Sequence, residues 1–263
     1  FHECVMRPIL VLLFLISLTA CDPIDMDTEI TTDTEADTES SSSDEWQSVL
    51  PGLEQRLYRT DLTFFQAVRI DPTLFRFQAH YQPSNPLTLD EWSAQLPDAE
   101  IIINTNFFAL DNSVQGLLIA NGVAYGQAYR RRGGTFFVSA DGSVGITSNQ
   151  SQPYAGEPYA QAIQAFPMLI MNGLPAYNNS DDRIPARRTI IGIDTEGRVV
   201  MLTTPGLGIS LYGLSQYLAE TDLNLQIALN LDGGGSTMMK IATTDTTVNS
   251  FDPVPAVLAV YLP

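Results

Sequence analysis

Three tight turns between apolar runs constrain the fold of this chain more than any other feature of its sequence. Each turn ends in glycine, which readily adopts the positive φ that two-residue hairpin turns require. The turns are Asn121-Gly122, Asp141-Gly142 and Glu196-Gly197, and they join residues 117–120 to 123–125, 135–139 to 143–147, and 190–194 to 198–203. The sequence therefore predicts three antiparallel hairpins.

Two helices are predicted among further short strands. Thr88 and Glu91 form a capping box at the start of the first helix, which Pro97 ends. Ser210 is the expected N-cap of the second, in which Leu211, Leu214, Tyr217 and Leu218 have helical spacing. Further strands are expected at residues 64–70, 74–79, 101–105, 227–231 and 257–262. This mixture predicts an α+β fold, a single domain over residues 47–263 with a mixed, mostly antiparallel sheet, several hairpins and a few helices.

Residues 1–21 are typical of an export signal rather than of a folded element. Arg7 precedes an apolar stretch of about ten residues, and small residues follow before Cys21. The stretch is too short to span a bilayer as a helix. Its end, Leu18-Thr19-Ala20-Cys21, resembles a bacterial lipoprotein signal, in which the cysteine is lipidated, and Met6 is the expected start. A plain signal peptide with an incidental cysteine is the alternative.

Residues 22–46 are predicted to form a disordered acidic tether. They contain ten Asp and Glu and no Lys or Arg, whereas residues 47–263 contain 19 acids and 12 bases. Such a segment has too little apolar surface to offset the entropy of ordering, and its like charges repel. We therefore expect a lipid-anchored domain in the bacterial cell envelope, held off the membrane and facing away from the cytoplasm.

The scarcity of His, Lys and Cys excludes several classes of catalytic site. Of the two His, only His80 lies beyond the export signal, so a zinc site built on two or three His is impossible. Lys240 is the single lysine and the one candidate for Schiff-base chemistry. After processing, Cys21 is the only thiol, which leaves no disulfide and no Cys nucleophile. The acidic balance argues against nucleic acid as a partner.

Four segments place polar residues where a strand is expected to end, around Asn106, Gln164, Arg188 and Asp232. In the last, Asn230 and Asp232 lie on one face of a buried strand, and residues 233–236 are Gly-Gly-Gly-Ser. Such a turn lets backbone N–H groups approach a ligand and can form an anion nest. It lacks the spacing of a dinucleotide-binding or P-loop motif.

Taken in order, Asn106-Phe107-Phe108, Arg188-Thr189 and Asn230 to Ser236 resemble the phosphodiester glycosidase domain. The similarity covers roughly residues 60–263, and the string from Leu231 to Ser236 is its most specific part. Thr105 departs from the pattern, because the family often has glycine there. The resemblance implies hydrolysis of the bond between a sugar's anomeric carbon and a phosphodiester.

The residues suit that reaction. The leaving group would be a phosphate monoester with a last pKa of about 6, so it needs stabilisation of charge more than a strong acid. The resemblance implies catalytic roles for Asp232, as nucleophile, base or oxocarbenium stabiliser, and for Arg188, which would hold the phosphate. Substrate-binding residues are expected to be Asn106, Gln164, Asn230, Gly234, Gly235 and Ser236. Asp111 and Asp182 are candidate second carboxylates, and Arg130-Arg131-Arg132 forms either a phosphate path or a solvated loop.

Two other functions fit the same residues. A lipid-anchored module could bind a wall glycan or an anionic polymer without cleaving it. A divalent-metal phosphodiesterase needs several Asp or His ligands in one place, of which only Asp232 is convincing. The sequence requires no cofactor, and whether a divalent cation binds beside Asp232 is left open. The expected partners are a sugar phosphodiester or glycan and, through Cys21, the membrane, and no protein partner is predicted.

Overall fold

The structure, a computed structural model, describes residues 45–60 and 63–263. The predicted export signal lies outside the described residues, as does the predicted tether up to residue 44. The helices are α1 (Leu89–Gln95) and α2 (Leu211–Glu220), and one 3-10 turn covers Gly234–Ser236. Within the described ranges, no helix is long and apolar enough to cross a membrane.

Eighteen strands account for most of the regular structure of these residues. They are β1 (Gln47–Leu50), β2 (Leu53–Arg59), β3 (Phe64–Ile70), β4 (Arg76–Tyr81), β5 (Ile101–Asn104), β6 (Leu117–Ala120), β7 (Val123–Gly126), β8 (Gly134–Val138), β9 (Val144–Ser148), β10 (Gln161–Ala165), β11 (Met168–Met171), β12 (Leu174–Pro175), β13 (Thr189–Asp194), β14 (Val199–Thr203), β15 (Leu225–Asn230), β16 (Met239–Ile241), β17 (Thr246–Val248) and β18 (Ala256–Tyr261).

The strands form three sheets rather than the single mixed sheet that was predicted. The largest has eight strands in the order β1-β2-β3-β14-β13-β15-β11-β12. The other two have five strands each, in the orders β7-β6-β10-β8-β9 and β17-β16-β5-β18-β4. All the pairings between these strands are antiparallel, so the fold is mostly β with few helices.

The three predicted hairpins are confirmed. Their strands pair as β6 with β7, β8 with β9, and β13 with β14. Gly122, Gly142 and Gly197 all have a positive φ, between 77° and 86°. A local signal fixes these hairpins, because the short turn brings each pair of strands together.

Both predicted helix starts are also confirmed. The Thr88 side chain accepts from the Glu91 backbone N–H at 3.4 Å, and the Glu91 carboxylate accepts from the Thr88 backbone N–H at 2.9 Å. The Ser210 hydroxyl accepts from the Gly213 N–H at 3.1 Å. Each cap satisfies backbone donors that the first turn of a helix leaves without partners.

The central strands of the sheets are buried on both faces. In β5, Ile101 and Ile103 pack into the core shared by the three sheets, whereas Ile102 faces the layer beneath α1. In β15, Leu229 faces the shared core and Ala228 the layer beneath α2. Because side chains alternate along a strand, two buried faces require the unbroken apolar runs seen in the sequence. The polar residues that follow these runs therefore emerge where the sheets meet.

Candidate active site

Asp232 lies just beyond β15, between two sheets. Its backbone N–H donates to the Thr105 carbonyl at 2.9 Å, and its carbonyl accepts from the Asn104 side-chain amide at 2.7 Å. The oxygen of that amide accepts from the Thr189 hydroxyl at 2.7 Å and from the Met238 N–H at 3.1 Å. Asn104 is 1% exposed. One buried amide thus ties the ends of β5, β13 and β15 to the backbone of Asp232.

The glycine turn after Asp232 packs against two neighbouring segments. A Cβ on Gly233 would lie 2.6 Å from the Arg187 carbonyl, and one on Gly235 would lie 1.9 Å from a carboxylate oxygen of Asp252. Gly234 has a φ of 63° and donates to the Arg187 carbonyl at 2.8 Å. Side chains are therefore excluded by close packing at two of the three glycines.

The backbone donors of this turn are partly engaged within the protein. Gly233 N–H donates to the Asp232 carboxylate at 2.9 Å, and Ser236 N–H donates to the Gly233 carbonyl at 3.2 Å. With Gly234 bonded to Arg187, three donors of the predicted nest have protein acceptors. The turn orients the Asp232 carboxylate directly, and ligand binding by Gly234, Gly235 and Ser236 stays a prediction.

Burial raises the pKa of Asp232 to about 6. The hydrogen bonds from the Ser236 side chain and the Gly233 N–H oppose this rise in pKa, and the negative charge of Asp252 adds to it. A carboxylate with a pKa near neutrality is mostly ionised at pH 7 yet can hold a proton during a reaction. Such a group suits a base, a nucleophile or the stabilisation of positive charge.

Arg188 directly precedes β13, and its backbone lies beside the turn that follows Asp232. The Leu231 N–H donates to the Thr189 carbonyl at 2.8 Å, and a Cβ on Gly233 would lie 3.7 Å from the Arg188 Cα. The backbones of the two residues predicted to be catalytic thus lie close together at one sheet junction, and a shared pocket for their side chains stays a prediction. The Arg188 Nε donates to the Ile209 carbonyl at 3.0 Å.

The electrostatic surroundings of Arg188 include Asp182. Burial lowers the pKa of Arg188, and the charge of Asp182 and the hydroxyl of Tyr177 oppose that effect. Asp182 accepts a hydrogen bond from Tyr177 at 3.1 Å. No ion pair within 4.0 Å includes Arg188 in the part of the chain that the structure describes. A half-buried guanidinium in this setting is available for a phosphate.

The side-chain amides of Asn106 and Asn230 donate hydrogen bonds to the protein, but their oxygens accept none from the described residues. Asn106 donates to the carbonyls of Gln115, Leu117 and Gln164 at 3.0–3.4 Å. Asn230 donates to the Phe166 carbonyl at 3.0 Å and to the Leu231 carbonyl at 2.8 Å. Both Oδ1 atoms are buried without a hydrogen-bond partner among the described residues.

Gln164 was predicted to lie on the wall of the site, whereas the structure places it in the interior. Its side chain is fully buried, and its oxygen accepts from the N–H groups of Leu117 and Tyr129 at 3.1 and 2.7 Å. Its nitrogen donates to the Thr135 hydroxyl at 3.0 Å and to Asn149 at 3.5 Å. All four hydrogen-bonding positions of the amide are used, so the observed role of Gln164 is to join loops behind the site.

The two candidate second carboxylates, Asp111 and Asp182, lie in different surroundings. Asp111 is exposed and accepts from the Ser113 N–H and hydroxyl, which lowers its pKa and closes its own turn. Asp182 lies near Arg188, as described above. Asp252, which sequence reasoning missed, is the carboxylate whose charge reaches Asp232. Its only signal in the sequence is the Asp252-Pro253 pair, which is typical of a turn.

Arg187 is a second residue that sequence reasoning missed. It is 5% exposed, and its Nη2 donates to the Thr237 carbonyl at 3.0 Å and to the Asn249 carbonyl at 2.7 Å. The guanidinium carbon lies 4.3 Å from the centre of the Phe251 ring. Burial lowers the pKa of Arg187. The sequence alone does not distinguish these two adjacent arginines. In the structure, Arg187 binds the backbone after the glycine turn, whereas Arg188 lies beside the site.

The remaining polar candidates are assigned to other places. His80 accepts from or donates to the Tyr261 hydroxyl at 2.9 Å, and burial lowers its pKa. Arg130 and Arg131 are exposed, and the guanidinium of Arg132 lies over the Phe166 ring at 4.1 Å. Across residues 45–60 and 63–263, no three side chains of His, Cys, Asp or Glu are grouped so that they could hold a metal ion.

Comparison with known proteins gives a family match and structural neighbours. A family model described as phosphodiester glycosidase matches residues 97–261. The catalytic domain of zebrafish N-acetylglucosamine-1-phosphodiester alpha-N-acetylglucosaminidase, auto-inhibited by its pro-peptide, is 16% identical, with a TM-score of 0.61 over 82% of this chain and 86% of that one. A hypothetical protein from Synechocystis is 15% identical, with a TM-score of 0.59 over 81% of this chain and 62% of that one. A search of curated proteins found no significant match.

Proposed function

Because this chain belongs to the phosphodiester glycosidase family, we propose that it hydrolyses the bond between the anomeric carbon of a sugar and a phosphodiester. The observation that carries this proposal is the buried carboxylate of Asp232, whose pKa lies near 6, in the turn after β15 and beside the backbone of Arg188. A site with one such carboxylate and a half-buried arginine matches a substrate whose leaving group is a phosphate.

In the proposed reaction, the carbon–oxygen bond at the anomeric centre breaks and its electron pair leaves with the phosphate. Water supplies the new oxygen on the sugar, and one of its protons is taken up by a base. The products are a free sugar and a phosphate monoester. Asp232 is the ionised group facing the positive charge that develops at the anomeric carbon, whether it acts as nucleophile, base or stabiliser.

Arg188 acts on the leaving group in this proposal. Its guanidinium would hold the phosphate oxygens and stabilise the second negative charge that forms when the bond breaks. A phosphate monoester has a last pKa of about 6, so it leaves without a strong acid beside it. Asn106 and Asn230 would bind sugar hydroxyls through their buried amide oxygens, which lie without protein partners.

We further propose that the protein works at the bacterial cell envelope, on the side away from the cytoplasm, anchored through a lipidated Cys21. The basis is the sequence alone, namely Leu18-Thr19-Ala20-Cys21 and the acidic residues that follow it. Two or more acyl chains bind a membrane firmly, because each buried methylene adds about 0.8 kcal/mol.

Turnover tests the function. The purified protein is incubated with a panel of sugar-1-phosphate methyl diesters, and phosphorus NMR separates diester from monoester. Release of methyl phosphate by the wild type, with its loss in Asp232→Asn, would support the proposal. Tight binding of a diester without any product would favour the alternative, a module that binds an envelope glycan or anionic polymer.

Arg188→Lys tests the phosphate role. Lysine keeps the charge but loses the planar fork that binds two phosphate oxygens, so kcat/KM for the diester should fall by about 10-fold or more. The loss on a 4-nitrophenyl glycoside of the same sugar should be smaller, because that substrate has no phosphate. Arg183→Lys, at an exposed arginine, is the matched control. Equal losses on both substrates would remove Arg188 from the phosphate role.

A further inference from the structure

A cavity of about 240 Å³ lies along β11 and the Phe166-Pro167 segment that precedes it. Its walls include Phe166, Met168, Met171, Ala176 and Tyr177. None of these residues has a role in the proposed hydrolysis. The cavity therefore needs an explanation of its own.

Two of its walls connect it directly to the candidate site. The Phe166 carbonyl accepts from the Asn230 side-chain amide at 3.0 Å, and the Pro167 carbonyl accepts from the Asn230 N–H at 3.0 Å. On the other wall, Tyr177 donates to Asp182 at 3.1 Å, and both groups act electrostatically on Arg188. Residues of the cavity wall thus interact with Asn230, which we assign to the sugar, and with Arg188, which we assign to the phosphate.

The walls of the cavity are mainly carbon. The Phe166 ring lies 4.6 Å from the Phe107 ring and is covered by the Arg132 guanidinium at 4.1 Å. The hydroxyl of Tyr177 is engaged by Asp182 and is directed to that carboxylate. Met168 and Met171 supply flexible, polarisable side chains that adapt to differently shaped apolar groups. Together with the polar residues Ser148 and Gln150, these side chains give a lining that offers apolar contacts beyond a phosphate.

Charge at the rim suits a ligand that carries an anion at one end. Arg132 lines the cavity and is in none of the ion pairs found within the described part of the chain. Its guanidinium, together with Arg188, would attract a phosphate to the site, and the side chains of Met168 and Met171 would contact carbon.

We infer that this cavity binds the aglycone of the substrate, and that the aglycone is an apolar alkyl or aryl group esterified to the phosphate on the side away from the sugar. The inference rests on the proposed function for the orientation of the ligand. It assigns Met171 and Ala176 as residues that determine specificity for the aglycone.

Binding of two product analogues tests the inference without turnover. Methyl phosphate and hexyl phosphate have the same headgroup and differ only in apolar surface. By calorimetry, hexyl phosphate should bind the wild type about 10-fold or more tighter than methyl phosphate, because its chain leaves water for the cavity. The kcat/KM ratio of the corresponding sugar-1-phosphate hexyl and methyl diesters should change in the same direction.

Substitutions in the cavity should remove this preference. Ala176→Trp fills the cavity, so the advantage of hexyl phosphate should disappear while methyl phosphate binds as before. Leu174→Trp is the matched control, since Leu174 is two residues away on the edge strand β12, 67% exposed and outside the cavity. If Ala176→Trp fails to fold by its thermal melt, Met171→Gln replaces it, because an amide of similar length should also reduce hexyl binding.

The outcomes separate the two proposals. Hydrolysis of both diesters with equal binding of the two phosphates would overturn the aglycone site and leave the glycosidase function intact. An unchanged hexyl preference in Ala176→Trp would also overturn it. No hydrolysis of either diester, with a hexyl preference that Ala176→Trp abolishes, would reject the function and support the cavity as an apolar phosphate-ester site.

Discussion

Asp232 combines two properties that oppose each other in a folded protein. Its carboxyl group is buried where two sheets meet, which raises its pKa to about 6, yet the proposed chemistry needs it ionised. The hydrogen bonds from Gly233 and Ser236 stabilise the ionised form and keep the pKa from rising further. The residue is thus ionised at neutral pH but close to titration.

We expect turnover to fall as the pH decreases through about 6, because protonation removes the charge that Asp232 supplies. The pH dependence of kcat/KM on a sugar-1-phosphate diester should show an acidic limb near that value. Asp232→Asn should lower kcat roughly 100- to 10,000-fold, as for other acid–base residues. Asp111→Asn, at an exposed carboxylate, should change little. An acidic limb well below pH 5 would contradict this account.

The same raised pKa predicts a change in stability. The folded state binds the Asp232 proton more tightly than the unfolded chain, whose carboxyl has its ordinary pKa of 3.8. Its stabilising contribution is therefore complete below about pH 3.8 and is lost as the pH rises through 6. The difference corresponds to at most about 3 kcal/mol. Asp232→Asn should melt at a higher temperature than the wild type at pH 8, and the gap should close near pH 4; a less stable variant at pH 8 would refute this.

At the residue scale, the sequence predicted residues whose backbones lie close together, but not the hydrogen bonds that engage each side chain. Asp232 and Arg188 were selected from local patterns, and the structure brings the segments that carry them together. Gln164 has the same appearance in the sequence, a polar residue ending an apolar strand. Its partners Leu117, Tyr129 and Thr135 are 29 to 47 positions away, so nothing nearby in the sequence indicates that they use the whole amide.

At the element scale, the predictions that held depend on neighbouring residues. The hairpins and helix caps are fixed within a few residues of each turn or cap, so the sequence contains the whole signal. The division into three sheets was not predicted, because it depends on pairings such as β18 with β4 and β5, which join distant segments. The strands β1, β2, β10, β11, β12, β16 and β17 were also not predicted individually.

The packing of the glycine turn against β13 leads to a prediction at this scale. Gly233 has a φ of −139°, which alanine adopts freely, but the added Cβ would lie 2.6 Å from the Arg187 carbonyl. Gly233→Ala should therefore push the turn away from Arg187 and Arg188, lower stability by about 1–3 kcal/mol and greatly reduce turnover.

Gly142→Ala is the control for this change. Gly142 has a φ of 86° with no atom within 4 Å of an added Cβ, so alanine there should cost about 1–2 kcal/mol through backbone strain alone. Its turnover should match that of the wild type when both are measured well below their melting temperatures. Full activity in Gly233→Ala would show that the close approach of the turn to β13 is dispensable.

At the scale of the whole molecule, acidic charge is concentrated in residues 22–46, whereas the domain that begins with β1 at Gln47 has a moderate net charge. The proposed anchor and the proposed active site therefore belong to separate parts of the chain. Changing the anchor should leave the chemistry unaffected.

Cys21→Ser tests this separation. The variant should move from the membrane fraction to the soluble fraction in cells, because the lipid attachment site is lost. Its thermal melt and its turnover of a soluble diester should equal those of the wild type after detergent extraction. A variant that stays in the membrane fraction, together with a mature wild type that carries no lipid by mass spectrometry, would reject the anchor.

The hydrogen bonds of Asn104 also bear on how the molecule reaches its native state. Its amide joins residues that are 85, 128 and 134 positions away along the chain. Closing loops of this length is slower than forming a hairpin whose strands are adjacent in sequence. During refolding, β-structure measured by circular dichroism should therefore appear early. A folding intermediate with complete hairpins would still be inactive. The rate at which activity recovers would then measure the rate at which the sheets close around Asn104.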